Sequence, residues 1–152
     1  MSRVQLALNV DDIDEAIAFY SKLFATRPAK VRPGYANFAV AEPPLKLVLI
    51  ESPGHGGSLN HLGVEVGTTD EVLAAATRLD REGLPTATEE QVTCCYAVQD
   101  KVWVDDPDGA PWEIYAVLAD ADAPAGELRG ADPACGAGRC DDESATDVCG
   151  AS

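Results

Sequence analysis

The sequence predicts an α+β fold in which two tandem βαβββ modules close their strands into one cup, followed by a disordered C-terminal tail. Three observations support this. Strand-like and helix-like periodicities alternate in the same order twice. The second run overlies the first with an offset of 56 residues when Gln5 is laid on His61. The periodicity then stops near Ala119, where the composition changes.

Residues 3–10 (RVQLALNV) alternate as a strand does, with Val4, Leu6 and Leu8 on one face and Gln5, Ala7 and Asn9 on the other. Asp12 and Glu15 have capping-box spacing, and Ile13, Ala16, Ile17, Tyr20, Leu23 and Phe24 recur at helical spacing, predicting an amphipathic helix of about three turns. Strand-like runs at 35–40 and 45–50 are separated by Pro43-Pro44. The second module opens with a strand at 60–66 (NHLGVEV). Thr68 and Glu71 form another capping box, and a helix carrying Val72, Leu73, Ala76 and Leu79 ends at Gly83. Strand-like segments follow near 86–90, 96–104 and 111–117, with Asp105-Asp106-Pro107-Asp108-Gly109 as the turn between the last two. The domain is thus expected over 1–118, with modules at about 1–52 and 59–118.

Residues 119–152 hold eight acids against two bases and no apolar period, so they bury too little surface to offset chain entropy. They carry Cys135, Cys140 and Cys149, whose irregular spacing argues against a zinc site; they either pass a thiophilic substrate to the site, chelate metals on their own, or are incidental. A formal charge of −15, from 26 acids and 11 bases, disfavours nucleic acid, whose phosphates need a basic face, and favours a small-molecule partner. No run reaches the roughly 18 apolar residues of a membrane span, and the first residues lack a signal peptide's apolar core, so a cytoplasmic protein without membrane partners is expected. Five cysteines in such a setting point to thiol chemistry rather than a disulfide framework.

Gln5 and His61 occupy matching positions in the first strand of each module, and Glu113 lies near the end of the second on the same strand parity as Tyr115 and Val117. An imidazole, a carboxylate and an amide oxygen can hold a divalent metal on one side and leave the other open. The set resembles the facial triad of two histidines and one carboxylate, with Gln in place of one His. For His61 alone the alternative is a satisfied histidine at a sheet edge, and for Glu113 a solvated strand residue. His55, in a Gly-rich loop, has no such placement and is expected in solvent.

The segments VQLALNV with FYSKLF, AKVRPGYANFAVAEPPLKLVLIE, NHLGVEV and TCCYAVQDKVWVDDPDGAPWEIY resemble the vicinal oxygen chelate proteins over residues 3–118 and, within them, the ArsI C–As lyase and CadI family. The superfamily pattern is shared by glyoxalases, extradiol dioxygenases and antibiotic-resistance proteins; the CCYAVQDKVWV segment is much narrower. The resemblance implies Gln5, His61 and Glu113 as Fe(II) ligands, Cys94 and Cys95 as arsenic-binding thiols, and dioxygen as co-substrate. Two thiolates suit As(III) that keeps one carbon substituent, whereas oxygen and imidazole suit iron, so the two elements sort by ligand softness. Gln91 and Thr93 before the pair and Tyr96 after it read as a loop or lid, which makes Tyr96 a candidate substrate contact. Lys101 is a candidate to lower a thiol pKa or to pair with an acid, against the alternative of a solvated lysine.

The resemblance therefore implies an iron-dependent dioxygenase that cleaves the C–As bond of trivalent organoarsenicals, as a monomer or homodimer. A protein that sequesters cadmium or arsenite is the alternative from another class, but it would not need a metal trio remote from the cysteines. A glyoxalase-type isomerase or thiol transferase is a third. Against it, Lys46 stands where a further carboxylate ligand is expected.

Overall fold

The computed structural model describes residues 2–94 and 96–121, apart from the side chain of Cys94. The elements run β1 (Arg3–Val10), α1 (Ile13–Leu23), β2 (Lys30–Arg32), β3 (Tyr35–Val40), β4 (Leu45–Glu51), β5 (Leu59–Val66), α2 (Thr69–Arg81), β6 (Ala87–Cys94), β7 (Ala97–Asp105) and β8 (Pro111–Asp120). Both modules thus have the predicted βαβββ order. The described strands form one sheet in the order β2-β3-β4-β1-β5-β8-β7-β6, so the modules meet edge to edge and the second mirrors the first. Strand β1 runs parallel to β4 and antiparallel to β5, while β5 runs parallel to β8.

Both helices begin where the caps were expected. Asp12 Oδ1 accepts from the Glu15 amide at 2.8 Å, and Thr68 Oγ1 accepts from the Glu71 amide at 3.2 Å. Ile13, Ala16, Ile17, Tyr20 and Phe24 pack α1 on Phe38, Leu47 and Leu49, and Val72 and Ala76 pack α2 on Val102, Ile114 and Ala116. With the apolar parity of each strand spent on the helices, the opposite parity faces the cup. Gln5, Ala7 and Asn9 therefore fall on the concave side, opposite Leu6 and Leu8.

Three boundaries differ from the sequence reading. The short strand β2 has no periodicity of its own and exists through its pairing with β3. Strand β6 continues through Gln91 and Thr93 to Cys94, where a loop was expected. A bulge between Glu89 and Val92 permits this: Gln91 takes a positive φ of 49° and its amide is held at 2.7 Å by Asp100, whose other oxygen accepts from Thr69 at 2.5 Å. Strand β8 runs on through Ala119 and Asp120 because these pair with Val98 and Ala97. The rest of the expected tail, residues 122–152 with Cys135, Cys140 and Cys149, lies outside the described residues. No helix among the described residues is long and apolar enough to cross a membrane.

Because α2 packs on the convex side, its cap should matter for stability alone. Thr68→Ala is expected to cost about 1 kcal/mol in urea unfolding and to leave divalent-metal affinity unchanged.

Candidate metal centre

The concave parity of β1, β5 and β8 brings three predicted residues together at the junction of the modules. Gln5, His61 and Glu113 are 4%, 4% and 3% exposed. Gln5 Nε2 lies 2.6 Å from Glu113 Oε1 and 3.0 Å from His61 Nε2, and His61 Nε2 lies 3.3 Å from Glu113 Oε1. Gly63 makes this approach possible, since it pairs with Gln5 on one side and Glu113 on the other. A Cβ at that position would meet Glu113 Cγ at 3.0 Å and its carbonyl oxygen at 3.2 Å.

Each member is oriented from behind. Asn60 donates to Asn9 Oδ1 at 2.9 Å, so its own Oδ1, 2.6 Å from His61 Nδ1, must accept. Nδ1 therefore carries a hydrogen, and Nε2 faces the centre, where it would give a bound metal its lone pair. Lys101, fully buried on β7, donates to Glu113 Oε2 at 3.0 Å and leaves Oε1 toward His61 and Gln5. Burial raises the Glu113 pKa, but the His61 hydrogen bond and the Lys101 charge outweigh it and hold the carboxyl at about 2. Lys101 is thus neither solvated nor on a surface.

Tyr115 Oη lies 2.5 Å from Gln5 Oε1 and 3.0 Å from Glu65 Oε2. Burial, followed by the charges of Glu65 and Glu113, raises its pKa, so it stays a phenol with one hydrogen for two acceptors.

Among the described residues no three His, Cys, Asp or Glu side chains converge, so a metal here depends on the Gln5 amide as third donor. The amide now turns its nitrogen to the centre. A half-turn about its terminal bond brings Oε1 inward and lets Nε2 donate to Tyr115, whose single hydrogen then goes to Glu65. Gln5 Oε1 would then face Glu113 Oε1 and His61 Nε2, an arrangement that only a cation between them would satisfy. The donors fit a divalent ion: one imidazole nitrogen, one carboxylate oxygen and one amide oxygen.

The β6–β7 hairpin reaches the first module beside this centre. Tyr96, at a positive φ of 61°, packs with Tyr35, Val48, Ile50 and Ala7, and Ala7 pairs with His61. Lys30 Nζ holds the Tyr96 carbonyl at 3.0 Å. Tyr96 is thus a buried member of a cluster that joins the second module to the first. The side chain of Cys94 and all of Cys95 lie outside the described residues, but the ladder pairs Cys94 with Ala97 at the hairpin's end. His55 is exposed and 3.2 Å from Ser52 Oγ, as its loop predicted.

The model of the glyoxalase/bleomycin resistance protein/dioxygenase superfamily matches residues 3–114. The chain belongs to that superfamily. Within it, the chain is 64% identical over 122 residues to the cadmium-induced protein CadI of Mycobacterium tuberculosis (strain ATCC 25618 / H37Rv), covering 80% of each protein. It is also 64% identical over 123 residues to a trivalent organoarsenical cleaving enzyme of Thermomonospora curvata, covering 80% of this chain and 82% of that one. Among solved structures, an extradiol ring-cleaving dioxygenase from B. fuscum matches with a TM-score of 0.57 at 20% identity, covering 79% of this chain and 34% of that one, a likeness of fold.

Sequence reasoning missed Gly63, Glu65, Asn60 and the role of Tyr115. Strand parity carried part of the signal, since Gly63 and Glu65 follow His61, and Tyr115 follows Glu113, at steps of two. Gly63→Ala should crowd Glu113, costing about 1–3 kcal/mol in unfolding and lowering divalent-metal affinity in titration calorimetry. A second test is pH. A carboxyl held below its ordinary value near 4.5 contributes stability that is fully present above that value and lost as pH falls through about 2. The thermal midpoint of the wild type should therefore fall more steeply over that window than that of Glu113→Gln; parallel profiles would show that the charge on Glu113 adds nothing.

Proposed function

We propose that this protein cleaves the carbon–arsenic bond of trivalent organoarsenicals, with Fe(II) held by Gln5, His61 and Glu113, the arsenic held by Cys94 and Cys95, and dioxygen as co-substrate. The observation that carries it is the buried trio at the junction of the modules, with the strand end at Cys94 in the same sheet. The kinship with a protein named for this cleavage supports it.

Capture comes first. Two adjacent thiolates exchange with the two oxygen ligands of methylarsenite and leave its carbon attached, and the second thiolate gains the effective concentration of a chelate. Bound Fe(II) would supply open coordination positions and redox capacity toward dioxygen. Lys101 fixes one oxygen of Glu113, and Asn60 fixes the tautomer of His61, so both donors are aimed before substrate arrives. Tyr96 and Tyr35, with ring centroids 5.3 Å apart, pack on Ala7 beside His61 and would limit water near the reacting atoms. Overall, methylarsenite and dioxygen give formaldehyde and arsenite. Carbon is oxidised, dioxygen takes up its electrons, arsenic stays trivalent, and no added reductant is needed. Vicinal thiols must stay reduced for this, which suits a reducing compartment such as the cytoplasm.

A sequestering role, suggested by the name of the CadI relative, would need only the thiols and gives the trio no task. A glyoxalase-type isomerase would be served by a further ligand from β4, where Lys46 instead pairs with Glu65 at 3.0 Å.

The test is arsenite release from methylarsenite by the reduced, Fe(II)-loaded protein in oxygen. Cys94→Ser and Cys95→Ser should each keep iron and release arsenite at least about a hundredfold more slowly, and His61→Ala should lose stoichiometric metal. A serine variant working at the wild-type rate, or equal turnover under strict anaerobiosis, would sink the proposal.

A further inference from the structure

Below the hairpin the concave face holds a cavity of about 330 Å³. It adjoins the metal centre through Glu65, which lines the cavity and meets Tyr115, itself hydrogen-bonded to Gln5. Arg3 and Lys46 converge on that one carboxylate, at 2.9 and 3.0 Å. Two cations on one anion leave the inner wall with surplus positive charge, in a chain whose net charge is −15. The Lys46 and Glu65 side chains are only 12% and 19% exposed, so solvent screens this field weakly. At the outer wall Lys30 bonds Asp120 and the Tyr96 carbonyl.

An independent observation comes from Gln99 on β7. It lines the same cavity and is 4% exposed, yet its Oε1 has no hydrogen-bond partner among the described residues. An orphaned acceptor of this kind costs about 1–3 kcal/mol and is relieved by a ligand that brings a donor. Ala97, which also lines the cavity, pairs directly with Cys94, so the cavity borders the segment that carries the thiols.

We propose that this cavity is a subsite for an organic group bearing a carboxylate, or an equally acidic substituent, together with a hydrogen-bond donor. If the protein is the lyase proposed above, that group is the carbon substituent of the arsenical. The acid meets the surplus charge of Arg3 and Lys46, and the donor meets Gln99 Oε1. A methyl group offers neither and leaves the space unfilled. The volume lies at the lower end of the roughly 300–1,000 Å³ of small-molecule pockets, which suits one substituted ring. The subsite thus selects acidic aryl arsenicals over methylarsenite.

Two arms separate the cavity from the lyase chemistry. In the first, metal-free reduced protein is titrated with para-aminobenzoate and with neutral para-aminobenzamide, followed by backbone amide NMR shifts. Saturable shifts at Ala97, Gln99 and Val117 are expected, with the acid binding at least about tenfold more tightly. That advantage should vanish in Arg3→Gln and in Lys46→Gln. Absence of saturable binding, equal affinity for acid and amide, or an advantage that survives both substitutions overturns the proposal. In the second arm, KM for a para-carboxyphenyl arsenical, in the trivalent state, should be at least about tenfold below that for phenylarsenite, with the same loss in the two variants. Cation-dependent binding of para-aminobenzoate without cleavage of any arsenical would support the cavity and refute the lyase. Cleavage of both arsenicals with no preference in either arm would do the reverse.

Discussion

Glu113 carries a negative charge into the middle of a sheet, where it is 3% exposed and at the meeting point of two modules. An uncompensated carboxylate there would cost several kcal/mol, so the neighbouring strands are arranged around it. Lys101 reaches it from β7, His61 from β5 and Gln5 from β1, and Gly63 gives up a side chain so that these strands can present their groups at one point. The compensation comes from both modules, which ties the integrity of the centre to their docking. It also sets the electrostatics of a bound metal. With Lys101 already balancing Glu113, and with Gln5 and His61 neutral, a divalent ion would keep its full charge and attract anionic partners.

A second layer supports the first. The Asn9–Asn60 pair behind His61 and the Tyr115–Glu65 pair behind Gln5 are built from neutral or hydrogen-bonded groups that fix ligand direction. Tyr115 is the more versatile of these, because a phenol donates through its hydrogen and accepts through its oxygen. It can therefore serve either orientation of the Gln5 amide. Glu65 in turn is held by Arg3 and Lys46, so one acidic residue connects the metal centre to the cationic wall of the cavity.

Positive φ values at Gln91 and Tyr96, the Asp100 clamp and the Tyr96–Tyr35 contact bend β6 and β7 back over the cup. Cys94 thereby ends a strand whose turn packs on the first module, although it belongs to the second.

The local order of elements was written in the sequence. Periods of two and of 3.6 residues, the Asp12 and Thr68 caps and the offset between Gln5 and His61 determine both modules apart from β2, and the inward parity of Gln5, His61 and Glu113, because each depends on near neighbours along the chain. The short strand β2, the extension of β6 through Gln91, the burial of Lys101, the need for Gly63 and the roles of Asn60, Tyr115 and Glu65 did not follow from it. Each of these depends on register between strands distant in sequence, such as Lys101 opposite Tyr115 and Gly63 between Gln5 and Glu113. A lysine in a strand reads as solvated until pairing places a carboxylate beside it. The sequence alone determined which residues face the cup; only the tertiary structure decided which of them meet, because facing is set by local periodicity and meeting by the register of long-range pairing.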